Sequence, residues 1–383
     1  MRISSLLSIA LLAMPSLAMS LGAKPLSIDE LELSTPLGAA GEQKIEAWIA
    51  SHPNASAQDQ GRAYGALCEA RSHLGRYRAA AEACARKAEI SGHNADLDQS
   101  IAFRRSLTGL APISVSGAFD AELTYGWVGM GELPVTINGV TINWGVDTGA
   151  EVSIISQSDA QRFGVRVIDT DLAIRGSSPG TAPGKVGVIP LMHAGGAEIR
   201  NVPVFVLPDA ALTPEPGHRV PPIFGAPIMY AYGRVEFLDH GRRIRLVPSS
   251  PTKLPGVVTW CESGVAIDVA LAGGSVRAIL DTGANVTELN TATQSLLTPT
   301  ERAALVPIST ARAGVSGAVS ERLMEAPKLA LHAAGETCIV RNARFSAEPG
   351  GAYDHGRVGM DLVKACKNVT VDFATMTYVV EGG

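Results

Sequence analysis

The tetrapeptide Asp-Thr-Gly-Ala occurs twice in this chain, at residues 147–150 and at residues 281–284, so its two aspartates lie 134 positions apart. Gly225 and Gly359 are each preceded by an apolar residue, and they are also 134 positions apart. This internal duplication predicts two related units, each with one aspartate at an equivalent position. Two carboxylates that meet across a pseudo-two-fold axis can share one proton and activate a water molecule.

The sequence around both tetrapeptides predicts a strand that enters a tight turn. Apolar residues alternate with polar or small ones over residues 140–146, and residues 276–280 form a short apolar stretch. In such turns, threonine hydroxyls can hydrogen-bond the backbone or the opposite turn, and glycines let backbone approach a carboxylate closely. The residues expected to support the two turns in this way are Thr148, Gly149, Thr282 and Gly283. One such motif is weak, but two in register favour chemistry over a repeat that serves only as scaffold.

These residues resemble two copies of the retropepsin-type aspartic protease unit, and the nearest match is the group of retropepsin-like bacterial proteases. The resemblance covers about residues 115–380. It implies a mainly β fold, with two pseudo-two-fold-related lobes in a pepsin-like bilobal arrangement and a cleft between them. It also implies that Asp147 and Asp281 are the catalytic pair, one from each lobe.

The resemblance assigns further roles to residues near the two turns. Thr148 and Thr282 would lock the two active loops together, and Gly225 and Gly359 would lie in segments that thread beside them. The two halves also depart from each other: lobe 1 has Pro227 where lobe 2 has Asp361, and lobe 2 has Glu288 where lobe 1 has Ile154.

Two glycine-rich stretches are candidate flaps over the cleft. Residues 176–187 are rich in glycine, proline and serine, and residues 312–320 are their rough counterpart. Gly180 and Gly314 are in register. The resemblance makes both stretches mobile flaps, and the alternative is that they are plain surface loops.

The first residues are typical of a secretory signal peptide. Arg2 precedes an apolar stretch at 6–17, and small residues flank a cleavage point near Ser20. An uncleaved membrane anchor is the alternative, but the stretch is shorter than the roughly 20 residues needed to span a bilayer and Pro15 interrupts it. We therefore expect residues 1–20 to be removed and the mature protein to be periplasmic or secreted, with no membrane association.

The chain divides into a helical module and two lobes. The sequence pattern of residues 25–110 predicts a helical segment, with helices expected at 42–51, 61–73 and 76–90. The turn near Gly75 resembles that of a single tetratricopeptide unit, which cannot bury its own face alone. The module is therefore a docking site for a protein partner, through residues 40–95, or else a structural cap or pro-region. The predicted lobes are residues 115–248 (lobe 1) and 257–383 (lobe 2).

Charge and cysteine spacing exclude several classes. The formal net charge is −5 and no Lys/Arg cluster stands out, so the sequence does not support nucleic-acid binding. No cysteine has the spacing of a metal site, and we expect no metal and no cofactor. Disulfides are permitted in an exported chain. Cys68 and Cys84 lie symmetrically about the helical turn, and among the lobe 2 cysteines we expect Cys261 to pair with Cys366.

The sequence therefore predicts an exported aspartic endopeptidase that cleaves a peptide or protein substrate with water activated between two aspartates. Two alternatives come from other classes. One is a catalytically inactive peptide-binding protein on the same fold. The other is an interaction protein that acts through its helical module.

Overall fold

The computed structural model describes residues 26–176, 180–214, 217–261, 264–314, 317–346 and 355–382 of the 383-residue chain. Helices come first along the chain and strands dominate the rest. The predicted fold class, a mainly β protein with a small helical N-terminal module, is confirmed. The predicted signal peptide, residues 1–20, lies outside the described residues.

Within the described part of the chain, five helices precede the first strand: α1 (Ile28–Ser34), α2 (Ala39–Ser51), α3 (Ala57–His73), α4 (Tyr77–Ser91) and α5 (Ala95–Ser106). Side-chain caps fix several starts; the Ser56 hydroxyl, for example, accepts a hydrogen bond from the Asp59 amide at the start of α3. The three predicted helices correspond to α2, α3 and α4. The sequence analysis missed α1 and α5, since few of their side chains follow an apolar stripe.

The helical module has its own core and also packs on lobe 1. Leu67, Ile45 and Trp48 belong to a buried cluster formed by the helices alone. A second cluster joins α5 to strands of lobe 1, and there the Phe103 and Phe205 rings lie 5.1 Å apart. This packing provides the burial that a lone helical hairpin lacks.

The next segment supplies the strands and short helices of lobe 1. In chain order they are β1 (Ser114–Ser116), β2 (Phe119–Glu122), β3 (Thr124–Tyr125), β4 (Gly131–Ile137), β5 (Val140–Asp147), β6 (Ser153–Ser156), α6 (Gln157–Phe163), β7 (Arg166–Arg175), β8 (Thr181–Ala194), β9 (Ala197–Leu207), β10 (Ile223–Gly225), α7 (Ala226–Tyr232), β11 (Gly233–Leu238) and β12 (Arg243–Pro248). The order β1-β9-β6-β10-β5-β4-β8-β7 forms one sheet, and β3 pairs with β4. Trp144 and Val146 of β5 are fully buried, as the alternating pattern predicts.

The elements of lobe 2 repeat much of this order. They are β13 (Gly256–Cys261), β14 (Gly264–Leu271), β15 (Gly274–Leu280), β16 (Glu288–Asn290), α8 (Pro299–Ala303), β17 (Val306–Gly314), β18 (Gly317–Ala326), β19 (Leu329–Ala333), β20 (Glu336–Val340), β21 (Ala343–Ser346), β22 (Gly356–Val358), α9 (Met360–Ala365), β23 (Asn368–Asp372) and β24 (Thr377–Glu381). The second sheet includes the order β13-β24-β23-β11-β12-β2, so strands from both halves of the chain are joined edge to edge.

The junction of the two halves lies between β11 and β23, which pair antiparallel. Val235 is opposite Val371, and Glu236 is opposite Thr370. Since Thr370 is the residue 134 positions after Glu236, each of these two residues faces its own equivalent. The pseudo-two-fold axis therefore passes between them.

Two disulfides are present among the described residues. Cys68 and Cys84 are bonded, with their Cα atoms 5.2 Å apart, as the antiparallel pair α3 and α4 predicts. Cys366 is bonded to Cys338, with a Cα distance of 5.4 Å, so the predicted pairing of Cys366 with Cys261 is wrong. The reason is that α9, which Cys366 follows, packs on β20, which holds Cys338.

Replacing Cys68 and Cys84 together by alanine should lower the free energy of unfolding by about 3 kcal/mol, because this disulfide closes a loop with a sequence separation of 16. Urea denaturation of the variant against the wild type measures the loss. Non-reducing peptide mapping of protein from an oxidising compartment should recover the two cysteines in one linked species. Recovery of both as free thiols would rule out the bridge.

Candidate active site

The two Asp-Thr-Gly loops occupy equivalent places in the two halves. Asp147 is the last residue of β5, which runs parallel to β10. Asp281 directly follows β15, which runs parallel to β22, and its amide donates a 2.9 Å hydrogen bond to the Val358 carbonyl. In each half, the strand that ends in the apolar-Gly step therefore lies beside the strand that carries the aspartate.

Four hydrogen bonds cross between the loops through two buried threonines. The Thr148 amide donates to the Thr282 hydroxyl at 3.1 Å, and the Thr282 amide donates to the Thr148 hydroxyl at 3.0 Å. The Thr282 hydroxyl donates to the Val146 carbonyl at 2.9 Å, and the Thr148 hydroxyl donates to the Leu280 carbonyl. Every bond has a counterpart 134 positions away, so the two loops are locked symmetrically.

Gly225 and Gly359 each lie against the backbone of the neighbouring loop. The Gly225 amide donates to the Ser153 hydroxyl at 3.1 Å, and the Gly359 amide donates to the equivalent Thr287 hydroxyl at 3.3 Å. A Cβ atom on Gly225 would lie 3.0 Å from the Ala150 carbonyl oxygen, and one on Gly359 would lie 2.7 Å from a backbone carbon. Both positions therefore require glycine for close approach.

The glycines of the two motifs bring the carboxylates together. The Gly149 amide donates to Asp147 Oδ1 at 2.8 Å, and the Ala284 amide donates to Asp281 Oδ1 at 3.1 Å. A Cβ atom on Gly149 would lie 2.9 Å from Asp281 Cγ, and one on Gly283 would lie 2.4 Å from Asp147 Oδ2. Each glycine thus lies directly against the aspartate of the other half, and a larger residue would displace that carboxylate.

The environment of Asp147 favours the protonated acid. Burial raises the pKa of Asp147 to about 7, and the charge of Asp281 and a hydrogen bond between the two carboxylates add to this shift. Hydrogen bonds from the Gly149 and Ala150 amides act in the opposite direction. These effects favour a proton held between the two carboxyls at pH values where a free aspartate would be ionised.

Two charged side chains make the lobe 2 half of the site different from its counterpart. The Arg357 guanidinium lies 3.2 Å from Asp281 Oδ2. Asp361, in the first turn of α9, accepts hydrogen bonds from the Thr287 amide and hydroxyl at 2.8 and 2.7 Å. Burial raises the pKa of Asp361. The lobe 1 equivalents are Ile223 and Pro227.

Sequence reasoning did not find the roles of Arg357 and Asp361. Asp361 was identified only as a departure from lobe 1, and Arg357 was given no role. The same signal could have found both: each is a charged residue in one copy of the duplication, at a position where the other copy has an uncharged residue.

The two candidate flaps belong to long hairpins. Strands β7 and β8 form the first, and β17 and β18 form the second. Residues 177–179 and 315–316, near Gly180 and Gly314, lie outside the described residues. The flap role stays a prediction.

Among the residues that the structure describes, no group of three or more His, Cys, Asp or Glu side chains could hold a metal ion.

Comparisons with known proteins match one of the two units. Residues 133–228, from β4 into α7, match the family model of aspartyl proteases. Among solved structures, the chain is similar to a retropepsin-like aspartic protease from Rickettsia conorii, at 19% identity and a TM-score of 0.25, over 35% of this chain and 92% of that one. No curated protein matches the chain.

The matched segment contains Asp147, Thr148 and Gly225, and lobe 2 repeats these residues at constant spacing and with equivalent hydrogen bonds. Part of lobe 1 therefore matches the aspartyl protease family, and lobe 2 repeats the motif residues of the matched segment within the same mainly β chain.

Proposed function

We propose that this protein is an exported aspartic endopeptidase whose catalytic pair is Asp147 and Asp281. The observation that carries the proposal is the pair itself. Two carboxylates lie within hydrogen-bonding reach, one of them with its pKa raised, on two loops that share symmetric threonine bonds. Two ionised carboxylates this close repel each other and destabilise the folded protein unless they share a proton. A pair that shares one proton provides one acid and one base at the same site, as acid–base catalysis requires.

The proposed reaction needs only these residues and water. The ionised member of the pair takes a proton from a bound water molecule, which attacks the scissile carbonyl. The protonated member donates a hydrogen bond to the carbonyl oxygen, and a proton then passes to the leaving amine. No covalent intermediate forms. The pair titrates as a unit, so both carboxylates contribute to each step of the pH profile.

The disulfides support export. Cys68–Cys84 and Cys338–Cys366 are typical of an oxidising compartment such as the periplasm or the extracellular space. Among the described helices, none has both the length and the apolar character needed to cross a bilayer. The two disulfides and the signal peptide predicted at residues 1–20 favour a periplasmic or secreted enzyme.

The contacts of the helical module favour a cap on lobe 1 over a docking site. The Gln99 side chain of α5 accepts a 3.0 Å hydrogen bond from the Ala173 amide of β7. Arg175, at the end of β7, forms a 2.8 Å ion pair with Asp96. Strand β7 lies at the edge of its sheet, and edge strands are commonly covered to block unwanted pairing. We propose that α5 serves this purpose.

The proposed activity predicts that the mature protein cleaves a peptide library and that a statine-type transition-state inhibitor abolishes cleavage. Turnover should fall as pH rises through about 7, because Asp147 must be protonated to act as the acid. Since both aspartates are in one chain, activity per milligram should not depend on dilution. Mass spectrometry of the digest gives the cleavage sites, and a zinc chelator serves as the control that should have no effect.

The alternative function, that of an inactive peptide-binding protein, predicts a different result in the same experiment. Peptides would then be retained on the immobilised protein without being cleaved at any pH. That outcome would overturn the proposed endopeptidase activity.

A further inference from the structure

One side chain makes the candidate dyad chemically unequal. The Arg357 guanidinium contacts Asp281 Oδ2 at 3.2 Å, and the Arg357 side chain is 31% exposed. Its position on β22 corresponds to Ile223 on β10, which is buried. Asp147 therefore has an isoleucine at the place where Asp281 has a cation.

This difference belongs to a row of residues across each sheet. In lobe 2, Glu288 of β16 lies between Arg344 of β21 and Arg357 of β22 in the pairing register. The charges in this row alternate in sign, and opposite charges on adjacent strands stabilise one another. The strand register therefore makes an acidic residue, Glu288, the cross-strand neighbour of Arg357.

The equivalent row in lobe 1 is apolar. Ile154 of β6 lies between Phe205 of β9 and Ile223 of β10. Phe205 and Ile154 pack in the cluster that joins lobe 1 to the helical module. Part of the lobe 1 row is therefore packed against the helical module.

Other ionisable groups lie around the pair and also affect where its proton is held. On the lobe 1 side, Glu151 follows the first motif, and burial raises the pKa of Tyr230, with Glu151 and Asp147 adding to the shift. On the lobe 2 side, Glu288 is opposite Arg357 in the strand register, and Asp361 accepts a hydrogen bond from the Thr287 hydroxyl. Within the described ranges, Arg357 contributes a positive charge in contact with a dyad carboxylate.

We propose that Arg357 is a positioning residue that holds Asp281 in the ionised form, so that Asp281 acts as the base and Asp147 carries the shared proton. A cation in contact with one carboxylate favours the charged form of that carboxylate over its neighbour. The burial of Asp147, which raises its pKa, acts in the same direction. This inference rests on the proposed function for its catalytic meaning, but the charge assignment can be tested without turnover.

The direct test uses protein labelled with carbon-13 at the aspartate carboxyl carbons. In the Asp147→Asn background, Arg357→Ile should move the titration of the remaining active-site carboxyl to higher pH by about one unit. In the Asp281→Asn background, the same substitution should move it much less. Arg357→Lys retains a positive charge and should restore most of the shift. Equal shifts in both backgrounds, or none in the first, would overturn the assignment.

The second test is the pH profile of kcat/KM for a cleaved peptide. The dyad works when it carries one proton. Without the cation, the singly ionised form appears only at higher pH, so Arg357→Ile should move the acidic limb upward by about one pH unit. Arg344→Gln removes a charge from the same row, on the far side of Glu288, and should leave the limb in place.

The two tests separate failure of the inference from failure of the proposed function. A lower kcat with an unmoved acidic limb would show that Arg357 only supports the fold and would overturn the inference. Absence of peptide cleavage by the wild type would overturn the endopeptidase proposal, and the carbon-13 titration would still decide where the proton lies.

Discussion

Asp147→Asn and Asp281→Asn should each lower kcat/KM for a cleavable peptide by at least about 10³-fold, because an amide can serve neither as the base nor as the acid. Asparagine is nearly isosteric with aspartate, so the loops and the fold should be retained, as circular dichroism would show. Asp239→Asn, in the exposed turn between β11 and β12, is the matched control and should keep full activity.

The stability of the Asp147→Asn variant gives an independent check. The folded-state pKa of Asp147, raised to about 7, means that the folded protein binds more protons than the unfolded chain between about pH 4 and 7. The wild type should therefore lose stability across this window as pH rises, and Asp147→Asn should lose less. Near wild-type turnover in either asparagine variant would instead show that the dyad assignment is wrong.

Thr148→Val should lower the free energy of unfolding by about 2–4 kcal/mol, the cost of leaving two buried backbone groups without their partner. The Thr148 hydroxyl accepts from the Thr282 amide and donates to the Leu280 carbonyl, and valine has the same shape but makes neither bond. Thermal and urea denaturation measure the loss. Activity should also fall, because the two aspartates are carried by the loops that these bonds hold together.

Thr148→Ser provides the matched control for this prediction. Serine keeps the hydroxyl and removes only a methyl group, so it should cost clearly less than valine. The pseudo-symmetry adds a further condition: Thr282→Val should behave like Thr148→Val, since its hydrogen bonds are equivalent. A serine variant as unstable as the valine variant would mean that packing of the methyl group, and not the hydroxyl, holds the loops.

The two-lobed fold and the meeting of the two Asp-Thr-Gly loops could be predicted from the sequence because both depend on a repeat. Residues 147–150 and 281–284, with Gly225 and Gly359, recur at one spacing, and spacing survives when most other residues diverge. The Cys68–Cys84 bridge could also be predicted, because both cysteines lie on one helical hairpin, whose geometry is local.

What the sequence analysis missed depends on contacts between segments far apart in the chain. Cys338 meets Cys366 because α9 packs on β20, and no local pattern encodes that contact. Arg357 reaches Asp281 because β22 lies beside β15. The repeat implies this strand pairing, but it does not predict which side chains the pairing brings into contact. Helix α5 buries Leu97 and Ile101 in the cluster formed by the helices and packs Phe103 against lobe 1, so its apolar residues do not form a single stripe.

The one-sided ion pair has an evolutionary consequence. In a homodimer built from one retropepsin-like unit, symmetry would place every residue twice, so a guanidinium beside one aspartate would require a second beside the other. Both carboxylates would then be drawn toward ionisation, and neither would be favoured as the acid. Gene fusion removes this constraint, since each copy can mutate alone. Arg357 in lobe 2, where lobe 1 has Ile223, is a difference between the two copies that an exactly symmetric homodimer could not carry.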